Sequence, residues 1–244
     1  MTDPRGSVVA KRLSRVGRIV AFCSAKGGVG KTMCATVAGL LLARAGRSVG
    51  ILDLDIRGAS AHVFLGVRLR LPEEQEGIAP LPVAERLSLM SVAAFTGERA
   101  LALRGPEVSD AILELLAVTR WGALDFLLLD MPPGIGEEVL DIVRLIPRLE
   151  ALLVSTPSAV AISVVERLAS VLGEMRVAVP GILANMVSGD ARSVRDMARR
   201  NGVPFAGEIP FDPALEEAIG LPERLAESVV AAALGRALAA VGYR

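Results

Sequence analysis

The chain has 244 residues, 52% apolar and 22% charged, which excludes disorder as its overall class and suffices for one large domain with its own core. Lys plus Arg and Asp plus Glu number 27 each, and this zero net charge argues against a dedicated nucleic-acid binder. Two cysteines, Cys23 and Cys34, are too few for a disulfide framework; with no membrane-length apolar run and no apolar leader, a cytoplasmic location is expected.

Residues 1–17 read as a polar N-terminal arm with Arg5, Lys11, Arg12 and Arg15, ahead of a single domain over 18–244. The apolar run 19–22 predicts a first strand. A Gly-rich turn follows, then a helix over 32–44 that Gly46 ends. Short apolar runs predict further strands at 49–52, 87–92, 124–129, 151–155, 177–183 and 205–209. Helices are expected at 107–119, 137–146, 158–173, 190–201 and 222–241, and residues 71–82, with three prolines and three glutamates, read as a surface loop. Apolar strands alternating with helices imply an α/β fold. Its sheet would be doubly wound and mostly parallel, of seven or eight strands, with helices on both faces.

The segment Ser24-Ala25-Lys26-Gly27-Gly28-Val29-Gly30-Lys31-Thr32 directly follows the first strand and opens a helix. Such a loop turns backbone N–H groups inward as an anion nest, and the helix adds its positive N-terminal end. The pattern places the phosphates of a nucleotide on Gly27, Gly28, Val29, Gly30, Lys31, Thr32 and Met33, with Lys31 on the β- and γ-phosphates and the Thr32 hydroxyl on Mg²⁺. The pattern's leading glycine is Ala25 here. Arginines outnumber lysines 24 to 3, yet positions 26 and 31 are lysine, which marks a need for a compact ammonium.

Two strand ends carry acids. Asp53 and Asp55 are two residues apart and share a face of an extended backbone. Asp130 ends the apolar run Leu127-Leu128-Leu129 ahead of Pro132-Pro133-Gly134, a Walker B arrangement with Asp130 toward Mg²⁺. Phosphoryl transfer needs Mg²⁺ on oxygen ligands and a water held in line.

The loop from Lys26 to Thr32 resembles the deviant P-loop of the MinD/ParA/Mrp ATPases. Further segments narrow the resemblance to the Mrp-type iron–sulfur cluster carriers: Asp53-Leu-Asp-Ile-Arg-Gly-Ala-Ser60, Arg104-Gly-Pro106, Trp121-Gly-Ala-Leu-Asp-Phe126, Asp130-Met-Pro-Pro-Gly134, Gly181-Ile-Leu-Ala-Asn-Met186 and Gly207-Glu-Ile-Pro-Phe-Asp-Pro213. The resemblance implies a Mg²⁺-dependent ATPase that closes as a homodimer with ATP at the interface. Lys26 would reach the facing subunit's nucleotide, Asp55 would orient water, and Asp53 and Asp55 would support the metal shell. Asn185 would read the adenine, with Ile209 and Pro210 lining the base pocket.

It also implies an iron–sulfur cluster held by a Cys-x-x-Cys after the Asn-Met pair, and partners in iron–sulfur assembly. No cysteine follows Met186, so the cluster site is expected to be missing. Two alternatives remain at this point: a partition or positioning ATPase acting on DNA or membrane, and a nucleotide-gated scaffold. Arg192, Arg195, Arg199 and Arg200 fall on one helical face, which a solvated surface accounts for better than a DNA-binding one in a chain of zero net charge. The C-terminal apolar stripe, from Leu225 to Leu238, reads as docking onto the sheet, and the lone His62 as structural.

Overall fold

A computed structural model describes residues 5–70, 77–96 and 105–244. Side chains of the first strand alternate in direction, as an extended backbone dictates. Ile19, Ala21 and Cys23 enter one apolar cluster, Val20 and Phe22 the other, so the strand is covered on both faces. The strands are β1 (Val16–Cys23), β2 (Val49–Asp53), β3 (Leu81–Ala84), β4 (Leu87–Ser91), β5 (Leu124–Asp130), β6 (Leu149–Ser155), β7 (Ala178–Val187) and β8 (Phe205–Pro210). They form one sheet in the order β3-β4-β2-β5-β1-β6-β7-β8, in which only β3 and β4 pair antiparallel.

The helices are α1 (Arg5–Leu13), α2 (Lys31–Arg44), α3 (Ala61–Phe64), α4 (Ala93–Thr96), α5 (Gly105–Val118), α6 (Glu137–Leu145), α7 (Ala159–Glu174), α8 (Arg192–Arg200), α9 (Pro222–Glu227) and α10 (Val229–Ala240). Helices α1, α5, α6, α7 and α8 cover one face, and α2, α9 and α10 the other. The chain leaves β1 toward β2 on one side and leaves β5 toward β6 on the other, so the carboxyl ends of β1 and β5 border a topological switch point.

Three details depart from the sequence expectation. Residues 5–13 of the expected arm fold as α1, which packs on α5 with Val9 and Leu13 buried. Arg148 caps the end of that helix by donating to the carbonyls of Leu13 (3.1 Å) and Val16 (3.4 Å). Strand β3 was not expected, and its first two residues, Leu81 and Pro82, fall in the expected loop. It tolerates Pro82 because it sits at the sheet edge, where a missing N–H breaks no ladder. The single C-terminal helix is two, because Ser228 is extended and its hydroxyl accepts the Ala231 N–H at 3.0 Å. Helix α10 docks as expected, burying Val230, Ala233, Leu234, Ala237 and Leu238. Residues 1–4 of the arm, residues 71–76 of the loop and Arg104 lie outside the described residues.

Candidate functional site

The turn between β1 and α2 is an open nest. Gly28 and Gly30 have φ of 77° and 80°, a region that side chains disfavour. At Gly30 a Cβ would also collide with the Asn185 amide, so that position needs glycine twice over. Gly30 caps α2 without any side-chain hydrogen bond, so the first N–H groups of the helix face the cavity without internal partners.

Two side chains of α2 converge on the end of β5. The Lys31 ammonium pairs with Asp130 Oδ1, and the Thr32 hydroxyl donates to Asp130 Oδ2 at 2.7 Å. Lys31 is 6% exposed and Asp130 is fully buried. Burial pushes the Asp130 carboxyl up, while Lys31 and Thr32 hold it down. Asp53 lies opposite Asp130 in the β2–β5 register. Its carboxylate accepts the N–H groups of Asp55 (3.2 Å) and Ala61 (3.1 Å) and the Ser91 hydroxyl (3.4 Å). Burial, with the charge of Asp130 second, pushes Asp53 up to about 7.

A cavity of about 270 Å³ opens over this nest. Residues 27–33 line it, together with Ser24, Asp55, Gly58, Ser60, Phe64 and Pro133. Asp55 is half-buried there and accepts the Gly58 N–H at 3.1 Å. The structure therefore brings together Gly27, Gly28, Val29, Gly30, Lys31, Thr32, Met33 and Asp55 at the cavity, with Asp130 beneath it. Asp53 is placed behind them, holding the backbone of Asp55. Lys26 is exposed on the loop.

Three expected residues lie elsewhere. Asn185 is buried at the end of β7, where its Nδ2 donates to the Val29 carbonyl at 2.8 Å and its Oδ1 has no partner. Ile209 is fully buried in the core, and Pro210 is exposed at the end of β8. Asn185 braces the loop from below because the register of β7 against β8 shifts between Ala184 and Val187, with Met186 at a φ of 56°. Sequence reasoning missed Ser24, Gly58, Ser60 and Phe64 as cavity walls, whereas the Pro132-Pro133-Gly134 segment was expected near the γ-phosphate. Ser24, Gly58 and Ser60 stood within quoted segments, whereas Phe64 carried no signal.

The donors suit Mg²⁺, which prefers hard oxygens and takes only one or two carboxylates beside phosphate. Thr32, Asp130 and Asp55 offer those oxygens, and a cation would relieve the buried acids. A cluster finds no such fit. Cys23 and Cys34 are both buried on opposite faces of the sheet, and burial pushes each thiol up to about 12. Among the described residues no three His, Cys, Asp or Glu side chains are grouped to hold a metal ion.

On α8, Arg195 pairs with Glu208 (3.3 Å), Arg199 with Asp196 (3.7 Å) and Arg200 with Glu166 (2.6 Å), as in a solvated face. No helix among the described residues is long and apolar enough to cross a membrane.

The profile of the family described as "ParA: NUBPL iron-transfer P-loop NTPase" matches residues 15–241. Over 216 residues the chain is 37% identical to the "Iron-sulfur cluster carrier protein" of Mycobacterium tuberculosis, covering 81% of this chain and 56% of that protein. The chain thus spans just over half the length of these mycobacterial relatives. It is 36% identical over 224 residues to the human "Cytosolic Fe-S cluster assembly factor NUBP2", covering 83% and 82% of the two chains. The nucleotide-binding protein of Archaeoglobus fulgidus, solved in complex with ADP, superposes with a TM-score of 0.76 at 27% identity, over 91% of this chain and 93% of that one. The MinD protein of Pyrococcus horikoshii, complexed with Mg-ADP, shares the fold at a TM-score of 0.69 and 23% identity, over 93% and 96%.

Proposed function

Because the chain belongs to the ParA/NUBPL iron-transfer family of P-loop NTPases, the Mrp-type branch of the MinD/ParA superfamily, we propose that it is a Mg²⁺-dependent ATPase working as a homodimer switch. The observation that carries this reading is the convergence of Lys31 and Thr32 on Asp130 beneath an open N–H nest that Asp55 also borders.

The backbone N–H groups of residues 27–33 bind the phosphates, and Lys31 exchanges Asp130 for the β- and γ-phosphate oxygens. Thr32 and Asp130 would hold Mg²⁺, which would supply neutralising charge beside the phosphates. Asp55 orients the attacking water from the cavity wall, and Asp53 fixes Asp55 by taking its N–H. Lys26, exposed on the loop, reaches the nucleotide of the second subunit and adds positive charge where charge develops. Asn185 supports the nucleotide loop by donating to the Val29 carbonyl, while Ile209, buried in the core, and Pro210, exposed at the end of β8, line no part of the cavity. The family relatives are named for iron–sulfur carriage and assembly. This chain, whose two thiols are buried apart, serves such assembly as an ATP-driven helper without a cluster of its own.

Lys26→Ala is the test. In this variant ATP binding, read by equilibrium titration, stays within about twofold, while turnover and ATP-driven dimerisation fall by about tenfold or more. Unchanged turnover with an ATP-independent monomer would overturn the two-subunit site.

A further inference from the structure

Two loops face each other across the phosphate end of the cavity. One leaves β2 and carries Asp55; the other leaves β5 and carries Pro133. At their base the Leu54 N–H donates to the Asp130 carbonyl at 3.0 Å, a continuation of the sheet. Farther out, the guanidinium of Arg57 lies 3.7 Å from the carboxylate of Glu138. From this geometry we infer that Arg57 and Glu138 form a charge latch that moves the two loops as one unit. They act as positioning residues for Asp55 and for the Pro132-Pro133-Gly134 segment.

Both partners are set up for this role by their own loops. Glu138 is in the first turn of α6, where unpaired N–H groups favour an anion. Its carboxylate folds back over Gly136, where a Cβ would collide with it, and its side chain is only 14% exposed. Glu138 is thus a fixed anchor. Arg57 sits inside the turn that Gly58 closes by donating to both the carbonyl and the carboxylate of Asp55. A pull on Arg57 therefore acts on the Asp55 carboxylate through one turn. The opposite loop is tied to the phosphate nest, since the Gly134 N–H donates to the Ser24 carbonyl at 2.9 Å.

An ion pair with one exposed partner contributes little to global stability. It is enough to bias the relative position of two short loops, which is the quantity at issue. The latch rests on the nucleotide reading only for what the cavity holds.

Hydrogen exchange on the full chain without nucleotide tests it. Glu138→Gln, which keeps the side chain's shape, should speed exchange of the Gly58 N–H by about two- to fivefold. Arg57→Ala should do the same to the N–H groups of Val139 and Leu140, which are bonded to Gly136. The double variant should be no faster than either single one. The latch is refuted if each variant loosens only its own loop, or if the two effects multiply in the double variant. With ATP, both single variants should lower kcat by the same small factor and leave KM unchanged. A chain that exchanges as expected but hydrolyses no ATP would keep the latch and remove the ATPase reading alone.

Discussion

At the scale of single residues the pair Lys31–Asp130 holds the most consequence for both folding and chemistry. Each is almost wholly buried, so each depends on the other to offset lost hydration. Lys31→Ala should therefore cost on the order of 3 kcal/mol in urea unfolding at neutral pH, beyond its effect on nucleotide. The pH dependence has a definite sign. Burial already raises the Asp130 carboxyl above its ordinary 3.8, and removing Lys31 raises it further. A carboxyl raised in the folded state binds more protons than in the unfolded chain. Its stability contribution is thus lost as pH climbs from the unfolded toward the folded value. The deficit of Lys31→Ala against wild type should be small near pH 4 and widen toward pH 8. A deficit independent of pH would mean that Asp130 finds another partner.

At the scale of elements, the strands and long helices were legible because each is a contiguous apolar run of the right period. Helix α1 and strand β3 were not. Helix α1 presents only Val9 and Leu13 to the core, too few for a readable stripe among the charged residues of 5–13. What makes it a helix is a surface supplied by α5 and by Arg148, more than a hundred residues away along the chain. Leu13 is 4% exposed. Leu13→Ala should then lower unfolding free energy by about 2–5 kcal/mol, measured by denaturant titration, whereas a loose arm would show no change. Strand β3 was hidden by Pro82, which reads as a loop until the strand is known to be an edge. The break at Ser228 was likewise hidden, because a serine within an apolar helical stripe signals a cap only when the backbone there is extended.

At the scale of the whole molecule, the sheet separates the two thiols. Cys23 points from β1 into one core and Cys34 lies on α2 in the other, so one chain cannot bring both to one cluster. Burial also pushes both thiols up, which disfavours the thiolate that iron binds. Anaerobic reconstitution with iron and sulfide should leave iron at background and show no visible cluster absorption, in wild type and in Cys23→Ser and Cys34→Ser alike. A stable cluster lost in either variant would restore carriage to this chain. The sheet also explains why the candidate site stands at the carboxyl ends of its central strands. The parallel strands β1, β2 and β5 end together, and three connections deliver the nest, Asp55 and Pro133 to one cavity.

The amino-acid sequence by itself determined the phosphate nest, the acids at the ends of β2 and β5, the alternation that makes a parallel sheet, and the lack of a cysteine pair. These are properties of short contiguous segments, in which composition and spacing already constrain the backbone. Tertiary structure alone decided which side chains meet. Lys31 and Asp130 are 99 positions apart and Asn185 lies 156 positions from the Val29 carbonyl it bonds, while Arg57 comes from the loop after β2 and Glu138 from the first turn of α6. Those pairings follow from strand order and register, which depend on how both faces of the sheet are covered at once and are written in no single stretch of the chain.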